Sequence, residues 1–167
     1  MKVVVTACLF IAWIGIIVFA SSQPYSQQDL RPMLTSWDLS WVERLFSWVE
    51  FTYSQSLISI ETKGTAGFIE FFIRKGAHVV VYATLGFLAS RLLRATSIRL
   101  FYQVLLAFLF VVLFAMSDEY RHSLNPERTG LIEDVILDSV GGIIGIAFYH
   151  ILYRIKVRIL SRRSMKR

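Results

Sequence analysis

Apolar positions gather into four long runs separated by polar stretches, and the lengths of those runs set the first expectation. Residues 3–20 are broken only by Thr6 and Gly15. At 1.5 Å per residue such a run spans about 27 Å, close to the roughly 30 Å hydrocarbon layer of a bilayer, and predicts a first transmembrane helix. A cleaved signal peptide, with Lys2 as its charged end and Val18-Phe19-Ala20 as its cleavage site, is disfavoured because the run outlasts a signal core. Val5-Thr6-Ala7-Cys8 looks like a lipobox, but a lipobox follows the apolar core and this one precedes it. The second run gives a helix over 68–93 and the third a helix over 98–117, opened by Thr96-Ser97 as N-cap and ended by Asp118-Glu119. The fourth, over 131–153, is long enough to span, yet Glu133, Asp134 and Asp138 fall near its start.

The long connection between the first two runs, 21–66, carries a weaker pattern. Trp41, Val42, Leu45, Phe46, Trp48 and Val49 recur at near-helical spacing, with Glu43, Arg44 and Glu50 among them. Tryptophans with a polar face predict a short helix at the lipid headgroups, and a lid packed on the bundle fits the pattern equally well. The expected fold is therefore all-α: one polytopic membrane domain of four transmembrane helices, with a short interfacial helix in the first outer loop and a basic tail over 154–167.

Composition narrows the class. The 167 residues are 55% hydrophobic and 18% charged, against about 25% charged in soluble domains, which excludes a disordered chain, a coiled coil and a basic nucleic-acid module. The single cysteine, Cys8, excludes an internal disulfide and a thiolate zinc framework. Charge then sets sidedness. Lys2, the 91–99 connection and the 154–167 tail together hold eleven basic residues and no acid, whereas all twelve acids fall on the other side with seven basic residues. By the positive-inside rule both termini and the middle loop are expected in the cytoplasm, where the tail would meet anionic lipid headgroups. No nucleic-acid partner is expected.

Candidate chemistry converges on the outer layer. Arg74, His78 and Tyr82 share a helix face by i,i+4 spacing, with Lys75 beside them. The third helix delivers Asp118 and Glu119 to the same side, the Asn125-Pro126 turn adds His122 and Arg128, and the fourth helix re-enters with Glu133, Asp134 and Asp138. Glu133 is explained by the positive end of the helix dipole. Asp138 is not, because it lies roughly 10 Å into the helix, and a charge at mid-helix costs about 2.5–3.5 kcal/mol. It should face the bundle, pair or lose its charge, and Arg74, Lys75 and Arg128 are the available cations. Gly141 and Gly145, at small-xxx-small spacing, would let a neighbouring helix approach. His78, Asp118, Glu119, Asp134 and Asp138 are thus the candidate catalytic groups, and Arg74, Lys75, His78, Tyr82 and Arg128 the candidate ligand-binding groups. Glu119 and His122 form half of a dimetal Glu-x-x-His signature, which His78 and Asp134 could complete, but no second copy exists, so neither a metal site nor a cofactor is expected. Serine or cysteine nucleophile arrangements and phosphate-binding glycine loops are missing.

Taken together, Arg74-Lys75-Gly76-Ala77-His78, Tyr82, Leu85-Gly86, Ser117-Asp118-Glu119, Pro126, Arg128-Thr129-Gly130, Asp134-Val135 and Asp138 with Gly141 resemble the VanZ-like family. Ser21-Ser22-Gln23-Pro24 resembles that family's segment after the first helix. The resemblance covers most of the chain except the Trp-rich part of the first loop and the basic tail. His122, with Arg121 beside it, stands where the family pattern has glutamine, and Glu127 where it often has glycine. The resemblance implies a small bacterial multi-pass protein of the cell envelope, associated through the name-giving member with low-level resistance to teicoplanin, a lipophilic glycopeptide acting on wall precursors. It brings no established reaction. The expected function is an outward ionisable pocket for a lipid headgroup, a lipid-linked wall precursor or a lipophilic glycopeptide. The alternatives are a membrane enzyme modifying a lipid-linked substrate by acid–base chemistry, with His78 as proton shuttle, and a small proton-coupled transporter using Asp138 and His78.

Overall fold

A computed structural model describes residues 2–125 and 129–164. In chain order the elements are α1 (Lys2–Ser22), a 3-10 turn (Tyr25–Gln27), α2 (Arg31–Thr35), α3 (Ser40–Phe46), β1 (Phe51–Tyr53), β2 (Ser56–Ile58), α4 (Ile60–Leu93), α5 (Leu100–Ser123) and α6 (Ile132–Ser164). Helices α1, α4, α5 and α6 are long and apolar enough to cross a membrane, which makes this an all-α, multi-pass membrane protein. Their outward surface is apolar too: Ile11, Phe19, Val80, Leu113 and Ile136 are all exposed, which suits a lipid solvent and not water.

Three helix boundaries lie beyond the apolar runs, each for a local polar reason. α4 starts at Ile60, ahead of residue 68, because Ser59 and Thr62 form a capping box: Thr62 N donates to Ser59 Oγ at 3.2 Å and Ser59 N to Thr62 Oγ1 at 3.3 Å. Gly64, at φ 67° and ψ 164°, kinks the helix one turn in, a conformation in which a side chain would be strained. α5 continues past residue 117 to Ser123, since Asp118 with Arg121 and Glu119 with His122 pair at i,i+3 along its last turns. α6 continues through the first part of the basic tail to Ser164.

The first loop packs on the bundle, as the lid expectation had it. Val42 of α3 turns inward and is buried with Ile58 and Phe68, while Trp37, Trp41 and Trp48 remain exposed at the rim. The hairpin β1–β2, with Thr52 opposite Leu57, was not legible as a strand pair in the apolar pattern. It packs on α4 through aromatic edges, the Phe71 ring lying 5.8 Å from Phe51 and 5.3 Å from Tyr53. The loop is thereby folded back over the end of the bundle where α1 finishes and α4 begins, called here the loop end.

Within the bundle the closest packing is between α4 and α6. Gly141, Gly142 and Gly145 make it so. A Cβ added at Gly141 would lie 2.6 Å from the Val79 carbonyl oxygen, and one at Gly145 would overlap the Ala83 backbone. Gly86 of α4 likewise meets the Gly142 carbonyl, so backbone touches backbone along this seam. α1 closes the bundle with Ile17 buried against Tyr82, Leu85, Val111, Ala115 and Val135. Its Trp13 Nε1 donates to the Val81 carbonyl at 3.0 Å, a polar tether within the apolar contact.

Candidate functional site

Because α4 and α6 are held at glycine distance, the polar residues one to two turns closer to the loop end are pressed together. His78 Nδ1 lies 3.0 Å from Asp138 Oδ1, and Asp138 is fully buried. Lys75 Nζ lies 2.5 Å from Asp134 Oδ1, on the same seam. Tyr53 Oη donates to that carboxylate at 2.5 Å, and the Lys75 ammonium sits 4.5 Å from the Tyr53 ring centre. Burial and the Asp134 carboxylate push the Tyr53 hydroxyl well above its ordinary pKa, which keeps it a donor. The hairpin is thus pinned to α6 through a carboxylate that α4 also grips.

The C-terminal turns of α5 supply a second layer. Asp118 pairs with Arg121. Glu119 Oε1 lies 3.0 Å from His122 Nδ1, while its Oε2 accepts the Leu131 backbone N–H at 3.0 Å and so fixes the entry to α6. Gly130 fits there because a Cβ would strike the Glu119 carbonyl. The His78 and His122 rings lie 6.4 Å apart, centre to centre, bringing the two carboxylate–imidazole pairs beside one another.

Between α1, α4 and α5 at the loop end lies a cavity of about 180 Å³. Ile16, Ile17 and Ala20 give it an apolar wall; Arg74, His78, Tyr82, Asp118 and His122 give it an ionisable one. Arg74 stacks its guanidinium 4.7 Å from the Tyr25 ring centre and makes no ion pair within 4 Å among the described residues. Glu70, one helical turn before Arg74 on α4, is held by first-loop groups: Tyr25 Oη at 2.9 Å, Leu30 N at 3.2 Å and Arg31 Nε at 3.7 Å. Burial and the Glu70 carboxylate raise the Tyr25 hydroxyl, so it too remains a donor. Asp29 is drawn down to about 2 by its bidentate hydrogen bonds with Arg31.

Of the residues singled out from sequence, Arg74, His78, Tyr82 and Asp118 line this cavity. Glu119 and Asp138 are buried next to His78, all three offering ligand atoms within 4.8 Å of one another. Lys75 and Asp134 face the hairpin instead, and Asp138 takes the place near Glu119 that sequence spacing gave to Asp134. Arg128 lies outside the described residues. Tyr25, Tyr53, Glu70 and Arg121 were not singled out as site residues. For Arg121 the i,i+3 spacing from Asp118 was the available signal; the loop tyrosines are placed by tertiary folding, which leaves no periodic trace.

Chemically, the arrangement offers a stacked cation with no ion pair within 4 Å among the described residues, two imidazole–carboxylate pairs and an apolar wall in one cavity layer. The family model described as VanZ/LLP1 matches residues 6–153 of the chain. No curated protein and no solved structure matches it.

Proposed function

The chain belongs to the VanZ/LLP1 family, and from that premise we propose that it is a cell-envelope membrane protein whose loop-end cavity faces outward and receives the anionic headgroup of a lipid-linked molecule. The observation that carries this reading is Arg74. It lines the cavity, it is held in place by the Tyr25 ring, and among the described residues no carboxylate lies within 4 Å of it, whereas Lys75 is committed to Asp134. A guanidinium held in this way is suited to bidentate capture of phosphate or carboxylate. The apolar face of α1 beside it would receive the first part of a lipid tail. Lipid-linked wall precursors and lipophilic glycopeptides share this chemistry of an anionic head next to an apolar chain. The outward orientation draws on the eleven basic residues gathered at the opposite end and in the tail.

Overexpression in a glycopeptide-sensitive bacterium is expected to raise the teicoplanin inhibitory concentration, and Arg74→Ala to abolish the rise at equal protein level. No change on overexpressing the unaltered protein would contradict the antibiotic part of the reading. Acid–base catalysis on a lipid-linked substrate is the second reading, favoured by the adjacent His78–Asp138 and His122–Glu119 pairs. Altered lipid or muropeptide mass profiles between deletion and overexpressing strains would support it. Proton transport draws no such support, because the buried residues away from the loop end, Leu85, Leu88, Ala89, Ala107, Val111 and Ile146 with the polar Thr6, Ser90 and Gln103, include no ionisable side chain among the described residues.

A further inference from the structure

The buried carboxylates at the loop end are not balanced alike. Asp118 has Arg121 and Asp134 has Lys75, each a permanent cation. Glu119 and Asp138 have only histidines as ion-pair partners among the described residues. Asp138 is fully buried, and its Oδ2 has no hydrogen-bond partner among the described residues. An unpartnered carboxylate oxygen in a protein interior costs free energy unless something outside the chain satisfies it. Two adjacent carboxylates with no fixed cation among the described residues match the charge of one dication.

We propose that His78, Glu119 and Asp138 form a binding site for a single divalent transition-metal ion, with zinc as the first candidate. The three residues come from α4, α5 and α6, so the set leaves no paired Glu-x-x-His motif along any one helix. Their ligand atoms lie within 4.8 Å of one another, and His78 Nδ1 to Asp138 Oδ1 is 3.0 Å. Atoms each about 2.1 Å from an ion lie at most about 4.2 Å apart, so closure needs side-chain movements of roughly half an ångström. One imidazole and two carboxylates form a mixed nitrogen and oxygen set suited to zinc or manganese, and three protein ligands leave coordination positions open. The second layer is also present. His122 beside Glu119 Oε1 and the Leu131 N–H on Oε2 orient the Glu119 carboxylate, as outer partners do around metal ligands. His78 lines the cavity as well as touching Asp138, which gives an ion a path to the site. The proposal does not rest on headgroup capture by Arg74.

The test is metal content of the full chain purified in detergent, by elemental mass spectrometry, followed by zinc titration of chelator-treated protein against a competing indicator. About one ion per chain is expected. His78→Gln, Glu119→Gln and Asp138→Asn should each weaken zinc binding at least about tenfold, and His122→Gln should weaken it while leaving one ion bound at saturation. Glu43→Gln, an exposed carboxylate far along the chain from the set, should bind as the unaltered protein does. A variant that elutes as aggregate is replaced by cobalt substitution of the unaltered protein, whose visible absorption should appear with cobalt and disappear on adding zinc. Less than about a tenth of an ion per chain after incubation with zinc or manganese would overturn the proposal. Equal zinc affinity in the folded ligand variants, or no cobalt absorption, would do the same.

Discussion

One seam between α4 and α6 carries two kinds of contact. Away from the loop end, Gly141, Gly142 and Gly145 meet the backbone of Val79, Gly86 and Ala83 with no side chain between them. Towards the loop end, the same two helices meet through Lys75–Asp134 and His78–Asp138. The glycine part sets the distance, and the ionic part is forced into contact by it. Packing drives helix association in lipid, where apolar side chains gain nothing by leaving the acyl chains, so the glycine part needs no further purpose. The ionic part is different. Buried ion pairs often stabilise less than well-packed apolar residues of similar volume, so their placement on the same seam points to use rather than to folding.

The contrast is sharpest under substitution. Gly145→Leu puts a side chain into the Ala83 backbone and is expected to cost at least about 3 kcal/mol, read as lost monodispersity in detergent. Tolerance of that change would break the claim that the glycines set the seam. Lys75→Met leaves Asp134 buried with Tyr53 alone and should cost roughly 3 kcal/mol, whereas Lys75→Met combined with Asp134→Leu should recover most of it in a double-mutant unfolding cycle. A double variant as unstable as the single would assign the pair to folding after all. Trp13→Phe, which removes the tether to the Val81 carbonyl, should cost about 0.6 kcal/mol by the same assay. The smallest effect is expected at the exposed Asp29. Its carboxyl is lowered to about 2 beside Arg31, so any stabilisation it gives is present above its unfolded pKa and is lost as pH falls through about 2. The melting temperatures of the unaltered protein and Asp29→Asn should therefore converge between about pH 4 and pH 2.

Much of this seam could be read before the fold was known. Asp138 was too deep to be a helix cap, and Gly141 to Gly145 had the spacing of a close helix contact; both placements hold. Which acid meets which base could not be read in the same way. Arg74, Lys75 and Arg128 were the cations expected for Asp138, but its partner is His78 and Lys75 goes to Asp134, a choice that depends on helix rotation and on the path of the first loop. Tyr53 reaches Asp134 only because Phe51–Tyr53 pairs with Ser56–Ile58, and strands of three residues carry too short an alternation to be seen. The ends of α4 and α5 were hidden for a related reason: Ser59, Thr62, Arg121 and His122 extend helices by hydrogen bonds and ion pairs, which an apolar pattern does not register.

The functional account depends on the loop end lying outside the cell. Single cysteines introduced as Ser36→Cys, Ser123→Cys and Ala95→Cys in a Cys8→Ser background can be tested with a membrane-impermeant maleimide on intact cells. The account predicts labelling at 36 and 123 without permeabilisation and at 95 only after it. Labelling at 95 from outside, with 36 and 123 protected, would contradict it.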